Sequence, residues 1–132
     1  MLTENDVVEA VAHHLRQAGW VVLQTRTTSQ HGIDILAEKD GQKLAIEAKG
    51  GGSAKAGSAR YGLHFTPNQK RTHVAVAILK ALQTLCEGGC QVGIAVPNDT
   101  EHLRLISGVL PSLTLLKILV FLVGSDRTVR LA

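Results

Sequence analysis

Apolar positions along the chain follow two periods. Val7, Val8, Val11, Ala12, Leu15 and Ala18 recur with helical spacing, which predicts an amphipathic helix. Thr3-Glu4-Asn5-Asp6 resembles a capping box at its start, with Asp in the place usually held by Glu or Gln, and Gly19 is its stop. Gly19–Thr25 leads into a first strand, and Arg26–Gly32 is a polar connection in which His31 reads as a solvated loop residue and Gly32 as a bend. The period then changes to two. Ile33, Ile35, Leu36 and Ala37 are followed by Leu44, Ala45, Ile46 and Ala48 on the far side of Asp40-Gly41, which predicts a β-hairpin within His31–Gly51.

Thr66-Pro67-Asn68-Gln69 opens a second helix, with Thr66 as N-cap, Pro67 at the first helical position and Gln69 closing a capping box. This helix runs through Val74, Ala77, Ile78, Ala81, Leu82 and Leu85 to Gly88. Gln91–Pro97 is a continuously apolar strand, as expected of one covered on both faces. Asn98 or Asp99 caps a helix containing His102, Leu103, Leu105 and Ile106, which Pro111 ends or bends. Lys117–Val123 reads as a last buried strand and Thr128–Leu131 as a short one after it. The order α-β-β-β-α-β-α-β-β predicts an α/β fold: a mixed β-sheet with the hairpin near its centre, flanked by helices, forming one domain over residues 1–132 without internal repeats.

The hairpin carries the candidate chemistry. A two-residue loop at Asp40-Gly41 sets Asp34 directly across from Glu47, on the same face, with Lys49 next along that face. Two opposed carboxylates in a half-buried sheet repel, so the arrangement calls for a compensating charge: Lys49, or a bound divalent cation. Mg²⁺ is commonly held by one or two carboxylates with water and substrate phosphate. The alternative is a surface hairpin whose charged residues only face water. Glu4 continues the apolar stripe of the first helix one turn earlier, whereas Glu9 lies with Arg16 on the outer side. Glu4 either points toward whatever the helix packs on or serves as a first-turn anion for the helix dipole.

Composition narrows the picture modestly. Apolar residues make up 45% of the 132 positions and charged ones 19%, a globular balance, and the net charge of +3 is only weak support for a nucleic-acid partner. Cys86 and Cys90 read as reduced, buried thiols, since no second pair exists to complete a zinc site. The acidic opening M-L-T-E-N-D-V-V-E lacks the apolar core of a signal peptide. Leu115–Gly124 is the longest apolar run, interrupted by Lys117 and far below the roughly 20 residues of a spanning helix. These features predict a soluble cytoplasmic protein with no membrane partner. Gly50–Gly57 lacks the GxxxxGK[ST] pattern, so no nucleotide cofactor is expected.

The stretch from Gly50 to Gly62 is long and glycine-rich, and carries Lys55, Arg60 and Tyr61 just beyond the hairpin. Cations beside an aromatic suit a phosphate backbone and an unstacked base; a linker with incidental charges is the other reading. Lys70, Arg71 and His73 give the following helix a basic start that adds to a phosphate-binding surface.

These residues together resemble the PD-(D/E)xK nuclease superfamily, with the restriction-endonuclease-like fold, and within it the small Mrr-like and archaeal Holliday-junction-resolvase-like members. The resemblance rests on a helix bearing an acid, Gly32-Ile33-Asp34, and Ile46-Glu47-Ala48-Lys49 thirteen positions after Asp34, followed by a helix and an apolar strand, over most of residues 3–97. It implies that Asp34 and Glu47, with the Ala48 carbonyl, ligate Mg²⁺ or Mn²⁺, that Lys49 orients or deprotonates the attacking water, and that Glu4 is the helix-borne acid. Two departures stand out. Ile33 occupies the position of the motif's proline, and Glu9 replaces Glu4 as the acid if the helix is rotated.

The expectation is a metal-dependent endonuclease hydrolysing DNA phosphodiester bonds, working as a homodimer because one small domain presents one site and duplex cleavage needs two. Phosphodiester hydrolysis needs a nucleophile and neutralisation of developing charge, which a carboxylate-held cation and a lysine supply. A non-catalytic DNA-binding or assembly module with the same fold is the alternative, and RNA a further substrate.

Overall fold

A computed structural model describes residues 1–26, 32–52 and 62–132. Six strands form a single mixed sheet in chain order: β1 (Val21–Thr25), β2 (Ile35–Lys39), β3 (Gln42–Ala48), β4 (Gln91–Pro97), β5 (Leu119–Val123) and β6 (Val129–Leu131). β1 to β3 are antiparallel neighbours, β3, β4 and β5 run parallel, and β6 returns antiparallel to β5. The expected mixed sheet flanked by helices is therefore the observed one. Among the described residues, no helix is long and apolar enough to cross a membrane.

The first helix, α1 (Glu4–Gln17), begins as the sequence predicts: Thr3 accepts from the Asp6 backbone N–H at 3.1 Å and Asp6 accepts in return from that of Thr3 at 2.9 Å. It packs Val7, Val8, Val11 and Leu15 onto Ile35, Ala37, Leu44, Ile46 and Ala48 from one face of the sheet. Two crossovers cover the other face: α2 (Pro67–Glu87) between β3 and β4, then α3 (Thr100–Ser107) and α4 (Leu110–Leu115) between β4 and β5. There Val74, Ala77 and Ala81 of α2 meet Val92, Ile94, Val96 and Val120.

Three expectations need correction. The chain contains α4 where Pro111 was to end or bend a helix; α3 already closes at Gly108, and Pro111 sits in the first turn of α4, where its missing N–H costs no hydrogen bond. β5 starts at Leu119 rather than Lys117, whose φ of 58° belongs to a turn. Cys86 and Cys90 are free thiols but are not buried: Cys86 is exposed in the last turn of α2, and Cys90 is half-buried in the turn that leads into β4.

A candidate active site at the end of the hairpin

The hairpin has the predicted register. Ile35 faces Ile46, Leu36 faces Ala45 and Lys39 faces Gln42, around a turn whose two central residues, Asp40 and Gly41, have φ of 51° and 79°. Positive φ at both positions is the type I′ geometry that matches strand twist, which is why Asp-Gly fixes the pairing. Asp34 lies one residue before β2, and its Oδ2 accepts the Ala48 backbone N–H at 2.8 Å. That bond ties the first carboxylate to β3 immediately after Glu47.

Strand alternation then separates two chemistries. Leu44, Ile46 and Ala48 enter the core under α1. Glu47 turns to the opposite face, toward α2, where the Lys80 Nζ stands 3.9 Å from its Oε2. Asp34 and Glu47 are both buried, at 8% and 7% exposure. Burial, then the charge of Asp34, pushes the Glu47 carboxyl up to about 7, against the pull of Lys80 and Lys49.

Glu4 joins the same cluster from the first turn of α1. Burial and the Asp34 charge raise its pKa, while Lys49 and Lys80 lower it. Its position depends on Gly50: a Cβ there would collide with the backbone of Thr3 and Glu4. β3 thus leaves the sheet directly beneath the start of α1, and only glycine permits that approach. Glu9 points elsewhere: its side chain is 71% exposed and pairs with Arg127 at 3.7 Å.

Lys49 is half-buried, and its backbone N–H extends the sheet by donating to the Ala95 carbonyl at 2.9 Å. His73 of α2 is close enough to be affected by it: burial first, and then the Lys49 charge, lower the His73 pKa. The structure thus brings Glu4, Asp34, Glu47 and Lys49 within electrostatic reach of one another and adds Lys80, which the sequence reading did not single out, and His73, which it read only as part of the basic start of the helix. The signal existed: positions 73 and 80 lie seven apart and share one side of a helix. Linking that side to Glu47 requires knowing how α2 lies on β3.

The remaining expected residues divide. Lys70 is 13% exposed and pairs with Asp99 at 3.4 Å, which turns it toward α3. Arg71 is exposed. Lys55, Arg60 and Tyr61, and the loop residue His31, lie outside the described residues. Gln69 is occupied as a cap, accepting the Thr66 N–H at 2.8 Å.

A family model described as a restriction endonuclease (Mrr_cat) matches residues 1–60, the part of the chain that contains α1 and the whole hairpin. An FdxN element excision controlling factor protein from Anabaena variabilis, known from its crystal structure, is 20% identical over 96% of each chain, with a TM-score of 0.52. This chain has a restriction-endonuclease-like fold. The resemblance to the PD-(D/E)xK nucleases therefore holds for the fold, and the family match extends over the segment carrying the acidic cluster. No curated protein matches the chain.

The donors of this acidic cluster decide whether it suits a divalent ion. Asp34 and Glu47 offer hard oxygen ligands, and with Glu4 these carboxyl groups outnumber the Lys49 and Lys80 ammonium groups that act on them. Among the described residues, no group of three His, Cys, Asp or Glu side chains is placed to hold an ion. Two carboxylates completed by other oxygens nevertheless form a donor set that Mg²⁺ and Mn²⁺ accept and that a structural zinc site does not use. The residues fit such an ion.

Proposed function

We propose that the chain is a divalent-metal-dependent endonuclease acting on DNA phosphodiester bonds. The observation that carries this reading is the buried Asp34–Glu47 pair, with Glu47 pushed up to about 7 and ammonium groups on its flanks. A fold gains nothing in stability from two acids so placed. Their juxtaposition is explained by a cation that both would hold.

In this reading Asp34 and Glu47, together with the Ala48 carbonyl, hold Mg²⁺ or Mn²⁺. When bound, the ion supplies Lewis acidity to the phosphoryl group and lowers the pKa of water. Lys49 places a positive charge beside the attacking water and orients it, or accepts its proton. Glu4 adds an acceptor for water at the edge of the pair. Arg71, Lys55, Arg60 and Tyr61 contact the DNA backbone and bases beyond the reacting phosphate. The chain works as a homodimer, one site per strand of the duplex.

The test is nicking of branched and linear DNA with Mg²⁺, comparing the wild type with Glu47→Ala and Lys49→Ala. Glu47→Ala should reduce cleavage to background and Lys49→Ala should cost about 10²–10⁴-fold. Equal cleavage by all three chains discards the assignment.

One observation favours a second reading. The structural neighbour that spans nearly the whole chain is named as an excision controlling factor, which favours reading this chain as a non-catalytic DNA-binding or assembly module with the same fold. Such a module binds DNA with the same affinity whether or not Glu47 is present, and no ion stimulates it.

A further inference from the structure

Lys80 has a part that the family motif does not provide for. It rises from the middle of α2, its side chain 48% exposed, and its ammonium reaches the Glu47 carboxylate at 3.9 Å. The other cations nearby are differently placed. Lys49 is anchored in the sheet by its backbone, and Lys70 is 13% exposed and engaged by Asp99. Among the described residues, Lys80 is the cation that joins the buried acid to the open side on a long stem.

We propose that Lys80 is a transferable cation: it neutralises Glu47 when no divalent ion is there, and carries a phosphate of the DNA once one is. This rests on the nuclease reading above and adds a coupling between ion and substrate. The physical reason is charge. An ammonium and a divalent ion compete for one carboxylate, and the ion's greater charge repels the ammonium that remains. The four-carbon stem of a half-exposed lysine lets the head swing outward at little cost. A lysine released beside the site is placed to meet the polyanion that the site serves. Ion and DNA then favour each other's binding, and the effect is reciprocal.

Two measurements on the intact chain test this, with Lys80→Met and Lys80→Arg as variants; neither shortens the stem to a cavity, and the residue lies outside the core. The first is calorimetric titration with Mn²⁺ alone. Lys80→Met removes the competitor and should bind Mn²⁺ at least about 5-fold more tightly than the wild type, the low end of the usual coupling between sites. Lys80→Arg should resemble the wild type. The second is the salt dependence of binding to a short duplex, with and without Ca²⁺ as a non-cleaving ion. In the wild type, Ca²⁺ should raise the number of neutralised phosphates by about one, and in Lys80→Met this increment should vanish.

A wild type that binds both Mn²⁺ and DNA, beside a Lys80→Met chain with the same Mn²⁺ affinity and the same salt increment, overturns this inference and leaves the nuclease reading intact. A wild type that binds no Mn²⁺ overturns both.

Discussion

Two acids, Glu47 buried in the sheet and Asp99 half-buried just beyond it, meet opposite treatment. Asp99, just after β4, has a full set of partners: its Oδ1 accepts the His102 backbone N–H at 2.9 Å, and its Oδ2 meets the His102 Nδ1 at 2.8 Å and the Lys70 Nζ at 3.4 Å. Burial works against its charge, yet the His102 backbone and ring outweigh it, with Lys70 assisting, and hold the carboxyl below its ordinary range. Glu47, at the end of β3, is pressed against a second acid and pushed up to about 7. His102, fully buried and driven toward neutrality by that burial, completes a unit that fastens α3 to α2. Desolvation works against the charge of both carboxylates. Partners that cancel the cost mark a structural acid, whereas a partner that adds to it marks a site kept for something else.

The sharpest way to break this comparison is to neutralise each acid and follow both stability and cleavage. Asp99→Ala deletes the α3 cap and strips His102 of its partner, and should cost about 2–3 kcal/mol in urea unfolding. Nicking below the midpoint should be little changed. Glu47→Gln should do the reverse, abolishing Mg²⁺-dependent nicking while leaving the ion-free chain as stable as the wild type or more so, because it removes a repulsion. If Glu47→Gln unfolds as readily as Asp99→Ala, the contrast between the two acids is wrong.

Acidity reads the same difference with opposite sign. Glu47 is raised in the folded chain, so its contribution is fully present when it is protonated, below the ordinary carboxylate range. That contribution is lost as pH rises through about 7. Asp99 is lowered, so its contribution is present above the ordinary carboxylate range and is lost as pH falls through its depressed folded value. Subtracting Glu47→Gln from wild type should therefore give stability that declines from about pH 4 to 7, on the order of 1–3 kcal/mol. Subtracting Asp99→Asn should give a difference confined to the acid limb. Mn²⁺ added at neutral pH should cancel the first difference and leave the second.

The sequence exposes the first of these regions and conceals the second for a physical reason. A strand has a period of two and Asp-Gly fixes the turn, so the register that brings Asp34 to Glu47 follows from local chemistry alone. Glu4 could also be inferred, because its stripe lands on the sheet and Gly50 leaves room for it. Lys80 meets Glu47 only through the angle at which α2 lies on β3, and no local pattern encodes that angle. Lys70 looks like a free cation in its own helix turn, yet Asp99, 29 positions later, claims it. Pro111 reads as a stop when α3 is viewed alone and as a start once Gly108 is known to have closed that helix.

The smallest expected effect concerns Glu9, set against Glu4 on the same helix. Glu9 and Asp6 both meet Arg127 near β6, at 3.7 Å and 2.9 Å, with the arginine 54% exposed. Exposed pairs of this kind contribute about 0–1 kcal/mol, so Glu9→Gln should shift unfolding by no more than about 0.5 kcal/mol. It should leave nicking unchanged. Glu4→Gln sits five residues earlier on the same helix and should leave stability equally unmoved, since Glu4 is raised by burial and by Asp34 rather than held by a partner. Its nicking, however, should fall well below that of Glu9→Gln. Equal nicking by the two variants would show that an acid can lie in the field of the pair without serving it, and would confine the site to the hairpin, its lysine and the helix facing them.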